Sequence, residues 1–111
     1  KCRRNGVVMM SEERYRTVVG IMSVKDDTEA IKLMNDSNFG LTASLWTKDL
    51  NRAELIADQI ETGTVFMNRA DYLDPGLCWT GCKDTGRGGG LSIIGYHNLT
   101  RPKSYHLKKV N

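Results

Sequence analysis

Between residues 18 and 67 the apolar pattern switches period four times, and few architectures accommodate that. Val18 to Val24 (VVGIMSV) is β-rich and largely apolar, as expected of a strand buried on both faces. Asp26-Asp27-Thr28-Glu29 then reads as a helix start, with Asp26 as cap and Glu29 three residues on. Ala30, Ile31 and Met34 give this helix a short apolar stripe, which stops in Asn35-Asp36-Ser37-Asn38, where Gly40 is expected to let the chain turn. Leu41 to Trp46 (LTASLW) is a second strand. Asp49 caps a second helix whose Ala53, Ile56, Ala57 and Ile60 recur at i, i+3, i+4 and i+7, and Gly63 is expected to end it. Thr64 to Met67 (TVFM) is a third strand.

Strand–helix–strand–helix–strand with short loops predicts an α/β fold, in which helices cross over a partial parallel sheet. Three strands and two helices leave the outer sheet edges bare, which points to something larger around them. The pattern is lost after Asn68. Ala70 to Gly90 is rich in Gly, Asp and Thr and reads as a long loop, a class of segment that usually carries function. Leu91 to Tyr96 is expected to be a short helix. Tyr105 to Val110 (YHLKKV) is expected to be a C-terminal β-arm that pairs with another region or another chain.

With 111 residues there is room for one small domain. The net charge of +3 gathers at the two ends, in Lys1, Arg3 and Arg4 and in Arg101, Lys103, Lys108 and Lys109. No basic stripe runs through the middle, so no nucleic-acid partner is expected. No apolar run approaches the roughly 20 residues that span a bilayer, and KCRRNGVVMM lacks the apolar core of a signal peptide. Cys2, Cys78 and Cys82 form an odd set without disulfide spacing. They read as reduced thiols of an intracellular protein, cytoplasmic or mitochondrial.

Several local patterns invite chemistry and do not complete it. Gly86-Arg87-Gly88-Gly89-Gly90 suggests a phosphate cradle, but Leu91-Ser92 follows where a Walker loop needs Lys-Ser/Thr. No strand precedes it as a dinucleotide fingerprint requires, and a bent connector is the simpler reading. Cys78 and Cys82 with His97 and His106 lack the tight pairs of a zinc site. A cysteine nucleophile with His97 as base has no marked partner or oxyanion hole. Glu12 and Glu13 point to opposite sides of an extended segment, so they are not a paired acid/base site. A single ionised carboxylate there suits hydrogen bonds from sugar hydroxyls.

Six segments stand in one collinear order. Met10 to Gly20 is similar to T-E-E-x-F-G-P-V-V-G. Ala30-Ile31, Asn35-Asp36-Ser37 and Phe39 to Ser44 resemble A-I-x-x-x-N-x-x-x-Y/F-G-L-x-A-S. Thr47 to Leu50 with Ala53, then Glu61 to Val65 with Asn68, keep T-x-D-L-x-x-A and G-T-V-x-x-N. Trp79 to Gly88 resembles F-G-G-x-K-x-S-G-x-G. Taken together these segments resemble the aldehyde dehydrogenase family, and Leu99 to Ser104 is similar to the run into that family's oligomerisation strand.

The resemblance implies that residues 1–98 are the C-terminal portion of a catalytic domain and that residues 99–111 are an oligomerisation strand. The family oxidises aldehydes to acids with NAD or NADP through a thiohemiacetal on a cysteine. By position, Glu13 matches the glutamate that holds the nicotinamide-side ribose, and Tyr15 matches the aromatic beside the nicotinamide. Trp79 matches an aromatic of the substrate funnel. The catalytic cysteine, general base, oxyanion-hole asparagine and dinucleotide-binding half lie upstream in the family, so no catalytic residue is assigned here. The partners implied are that upstream portion and a second copy joined through the C-terminal strand. A stand-alone interaction module built from the same segment is the alternative. Arg16-Thr17 replaces the family's Gly-Pro, placing a cation beside Glu13 and removing a rigid turn, and Gly89-Gly90 stands for Arg-Glu.

Overall fold

A computed structural model describes residues 19–110. The elements in chain order are helix α1 (Asp27–Asn35), strands β1 (Phe39–Gly40) and β2 (Thr42–Leu45), helix α2 (Leu50–Ala57), strands β3 (Thr64–Met67), β4 (Trp79–Thr80), β5 (Cys82–Lys83) and β6 (Gly89–Gly90), and helix α3 (Ser92–Leu99).

The centre is a β–α–β unit. Strands β2 and β3 run parallel in the register Thr42↔Thr64, Ala43↔Val65, Ser44↔Phe66 and Leu45↔Met67, with α2 as the crossover between them. Helix α2 forms there because Asp49 holds an extended backbone and its carboxylate accepts from the Arg52 amide at 3.0 Å, satisfying a donor the helix itself leaves free. Its apolar face turns inward as the spacing predicts. Ala53 and, in the turn beyond the helix, Ile60 are the two buried hydrophobic residues among those described, with Ile56 and Ala57 half-buried beside them. Helix α1 starts the same way, the Asp26 carboxylate accepting from the Glu29 amide at 2.8 Å. The Glu29 carboxylate reaches back to the amide of Lys25, one residue earlier than the reciprocal bond of a capping box. Arg52 of α2 then grips Asp27 of α1 with two parallel bonds of 2.6 Å, joining the two helix starts.

Four expectations are corrected. The strand expected over Val18–Val24 is not formed by its described part: residues 19–24 carry no ladder, while Val18 lies outside the described residues. A strand apolar on both faces needs neighbours on both, and here Val19 is 79% and Ile21 80% exposed. Among the described residues the parallel order therefore holds for β2–α2–β3. Gly63 does not terminate α2, which ends at Ala57 with Asp58 as its C-cap. Gly63 is needed for close approach: a Cβ there would lie 1.7 Å from the carbonyl oxygen of Thr80. Gly40 likewise sits in a strand, buried, where a Cβ would lie 2.1 Å from the Glu61 carbonyl oxygen.

The long loop is also more ordered than its composition suggests. Within residues 70–90, β4 pairs antiparallel with β6 (Trp79↔Gly90, Thr80↔Gly89), and β5 pairs back to β1 (Phe39↔Lys83, Gly40↔Cys82). Glycine at both β6 positions leaves no side chain to advertise a strand, so the ladder is invisible to hydrophobic periodicity. Helix α3 extends three residues past the expected Tyr96. Residues 101–110, including the expected arm Tyr105–Val110, are exposed and have no ladder partner among the described residues.

The packing leaves much apolar surface facing out. Total accessible area is 9679 Å², where a compact monomer of 12.5 kDa exposes about 6,200 Å². Leu50, Leu55, Trp46 and Ile93 are each more than half exposed, and among the described residues β2 and β3 pair only with each other. Edges and faces of this kind call for cover from further polypeptide. No helix among the described residues is long and apolar enough to cross a membrane.

Candidate functional site

Of the expected site residues, Trp79 is the one the structure describes; Glu13 and Tyr15 lie outside the described residues. Trp79 opens β4, half-buried, and its neighbours fix it closely. The Thr80 hydroxyl donates to the Gly88 carbonyl at 2.6 Å, closing the β4–β6 ladder from the side. The Thr80 carbonyl rests on Gly63 at a distance no side chain would permit. Beyond it, the Thr85 hydroxyl accepts from the Gly40 amide at 2.8 Å, tying the turn after β5 to β1. These contacts enclose an open cleft of about 240 Å³ lined by Trp79, Leu41, Thr80, Thr85 and Arg87. The lining combines an indole and an aliphatic chain with two hydroxyls and a guanidinium. Such a cleft can seat a short carbon chain while leaving its polar end hydrated.

Behind the cleft stands a cluster that periodicity did not expose. The Lys83 ammonium donates to the carbonyls of Asn35 (2.8 Å) and Ser37 (3.0 Å) and forms an ion pair of 2.6 Å with Glu61. Asn35 adds two bonds, its amide nitrogen donating to the Gln59 carbonyl at 2.7 Å and its oxygen accepting from the Glu61 amide at 2.9 Å. Asp84 completes the seam through its amide to the Asn38 carbonyl at 2.9 Å. One lysine and one asparagine thus join the end of α1, the turn after α2 and strand β5. Their partners lie 22 to 48 positions away in sequence, so no local pattern could reveal them. The one available signal was a lysine flanked by Gly81-Cys82 and Asp84 inside a glycine-rich stretch.

Asn68 plays a similar part at the end of β3. In a left-handed conformation (φ 54°) it both accepts from the Thr47 amide at 3.0 Å and donates to the Thr47 carbonyl at 2.7 Å. This imitates a further rung of the parallel ladder, and asparagine tolerates the backbone because its short amide bonds locally. The loop beyond is held by the Ser44 hydroxyl on the Arg69 carbonyl and by the Arg69 guanidinium 3.7 Å over the Tyr72 ring. Far from the cleft, the Arg52 guanidinium hydrogen-bonded to Asp27 holds that carboxyl below its ordinary value of 3.8.

The glycine run is no phosphate cradle. Gly89 and Gly90 are committed to the ladder with Thr80 and Trp79, and the Asn98 side chain donates to the Gly89 carbonyl at 2.6 Å. Helix α3 opens at Leu91 (φ 60°) without a capping side chain; the Ser92 amide donates to the Pro75 carbonyl at 2.9 Å. The run over residues 86–90 is therefore not arranged to cradle the pyrophosphate of a dinucleotide. Cys78 and Cys82 are half-buried free thiols, and among the described residues no three His, Cys, Asp or Glu side chains gather as a metal site would need.

A model of the aldehyde dehydrogenase family matches residues 4–105. An aldehyde dehydrogenase of Agaricus bisporus is 35% identical over 99 residues, covering 89% of this chain and 20% of that protein. The structure superposes on an indole-3-acetaldehyde dehydrogenase of P. syringae solved with NAD+, with a TM-score of 0.86 and 30% identity over 92% of this chain and 21% of the other. A succinic semialdehyde dehydrogenase of Streptococcus pyogenes solved with NADP+ gives a TM-score of 0.84 at 30% identity, over 90% and 22%. The chain spans about a fifth of the length of the curated relatives it matches. With the family model covering all but its first three and last six residues, and with the β–α–β core superposing on solved members, this chain belongs to the aldehyde dehydrogenase family.

Proposed function

We propose that these residues serve an NAD- or NADP-dependent oxidation of an aldehyde to a carboxylic acid as the C-terminal part of the catalytic unit, and that the chain has no turnover by itself. The observation that carries the reading is the family match over residues 4–105, and the roles given to Glu13, Tyr15 and Trp79 rest on their resemblance to family motifs. In this reading the Glu13 carboxylate accepts from the hydroxyls of the nicotinamide-side ribose, and the Tyr15 ring packs beside the nicotinamide. Trp79, with Leu41 in the lining of the same cleft of about 240 Å³, bounds the aldehyde's approach. The dinucleotide supplies the hydride acceptor; phosphate binding, nucleophile and general base belong to the polypeptide that covers the exposed apolar surface. Cys78 and Cys82 stand in or beside short ladders and outside the family's nucleophile motif, so neither is assigned that role. Residues 99–111 serve as the strand joining a second copy, and the compartment is the cytoplasm.

The test is spectrophotometric. The purified 111-residue chain is expected to produce no NADH or NADPH from aldehydes and to show no saturable NAD+ binding by fluorescence titration. A polypeptide carrying the same residues behind a cysteine-bearing upstream half is expected to turn over. Aldehyde turnover by the chain alone, or a micromolar Kd for NAD+, overturns the proposal. A stand-alone interaction module would instead elute in gel filtration as a well-folded oligomer of 12.5 kDa units without any such upstream half.

A further inference from the structure

We propose that Lys83 is a positioning residue for the Trp79 wall: its ammonium pins β5 to the end of α1 and thereby sets where the indole stands. The inference rests on the reading of Trp79 as part of the aldehyde entrance. Only Thr80, Gly81 and Cys82 separate the two residues, and this short link is tightly held. A Cβ on Gly81 would lie 2.5 Å from the Thr85 side chain, and the Thr80 carbonyl already abuts Gly63. With no slack between them, a shift at Lys83 is passed to Trp79.

The choice of lysine follows from what surrounds it. An ammonium has three N–H donors and no acceptor, and three oxygens converge on it, two carbonyls and one carboxylate. Asn35 is the last residue of α1, where unsatisfied carbonyls and the helix dipole concentrate negative charge, so a cation is favoured at that spot. The Lys83 side chain is 24% exposed, against 58% for Glu61, so water competes mainly for the carboxylate. Lys83 also holds a left-handed backbone (φ 56°), which a residue with a Cβ keeps only when its surroundings over-determine it. Its ladder to Phe39 and its three side-chain contacts are those surroundings. A further link between these segments, the Asp84 amide on the Asn38 carbonyl, lies one loop further on and is less direct.

The experiment reads Trp79 itself. The chain has two tryptophans, and Trp46 is 72% exposed, so Trp46→Phe leaves one indole to report. In that background Lys83→Met is expected to shift the emission to the red and to raise acrylamide quenching, with helix content by far-UV circular dichroism retained. Lys83→Arg, which keeps the charge, is expected to hold most of the parent spectrum. Glu61→Gln, which removes the ion pair and leaves the two carbonyl contacts, is expected to fall between. Should Lys83→Met not fold, the order parent, Arg, Gln stands as the measurement. In the full-length enzyme, kcat/KM for aldehyde is expected to fall on the order of tenfold in Lys83→Met, mostly through KM, as for a misplaced binding wall. An unmoved Trp79 signal in all three variants overturns the tether. A moved signal with unchanged aldehyde KM leaves the tether standing and overturns the assignment of Trp79 to the entrance.

Discussion

Adding one methyl group at Gly63 and the same methyl at Gly88 should have opposite effects. At Gly63 the new Cβ would sit 1.7 Å from the Thr80 oxygen, 2.4 Å from its carbonyl carbon and 2.9 Å from the Gly81 nitrogen. All three atoms are backbone, so no side chain can swing aside. Reaching even 3.0 Å requires β3 and β4 to separate by about 1.3 Å, which breaks the Gly63 amide bond to Gly40 and disturbs Thr64 to Leu41. Overpacking plus one or two lost backbone bonds places Gly63→Ala at about 3 kcal/mol or more of destabilisation. At Gly88 a Cβ meets nothing within 4 Å and φ is not left-handed. There alanine only narrows the unfolded ensemble, so Gly88→Ala should stabilise by about 0.4–1 kcal/mol. Urea unfolding followed by far-UV circular dichroism separates the two cases. With m near 1–3 kcal/mol/M, Gly63→Ala should lower the midpoint by about 1 M or more, while Gly88→Ala leaves it level or slightly raised. Equal midpoints for the two variants would refute the claim that close approach, and not helix termination, selects glycine at position 63.

Asn35→Ala removes a donor and an acceptor from a half-buried seam and should cost about 1–3 kcal/mol, read from the same urea curves. Asn68→Ala loses both bonds to Thr47 and leaves φ 54° without the local side-chain compensation; the Thr47 amide should exchange faster with deuterium while α1 is unaffected. Asp27 should titrate below 3.8 by carboxyl NMR, and Arg52→Met should return it toward that value. Because the folded-state value is the lowered one, this pair's contribution is complete above the unfolded carboxyl pKa and is lost as pH falls through the folded pKa. Arg52 is exposed and Asp27 partly so, and water reaches the pair, so the loss should be small and should shrink further in high salt.

What was legible in the sequence was whatever rests on near neighbours. The caps Asp26 and Asp49, the face built from Ala53, Ile56, Ala57 and Ile60, and the strand Thr64–Met67 are set by residues within one turn or one strand. The parallel pairing followed from their order. What was illegible depends on surfaces that meet only in the fold. Gly63 and Gly40 carry no sign that a distant carbonyl lies against them, and the ladders of β4, β5 and β6 are two residues each, too short for any period to register. Residues 19–24 err the other way: their composition suits a strand, but a strand is a pairing, and no described segment pairs with them. At the site, Trp79 came from resemblance to a motif, whereas Lys83 of the same motif acquired a role only once Asn35, Ser37 and Glu61 were seen around it.

The β2–α2–β3 unit has a kinetic corollary. Its two strands are joined by one helix with its own capping residue, so the chain entropy lost in closing them is modest and can be met before any distant segment arrives. The β1–β5 ladder joins distant positions and must wait. The β4–β6 ladder, though local, is only two residues long with glycine on one side and holds once Gly63 seats the Thr80 carbonyl. Folding is therefore expected to nucleate between Thr42 and Met67, with the Trp79 region condensing last, so that mutations there mainly accelerate unfolding and hardly slow refolding.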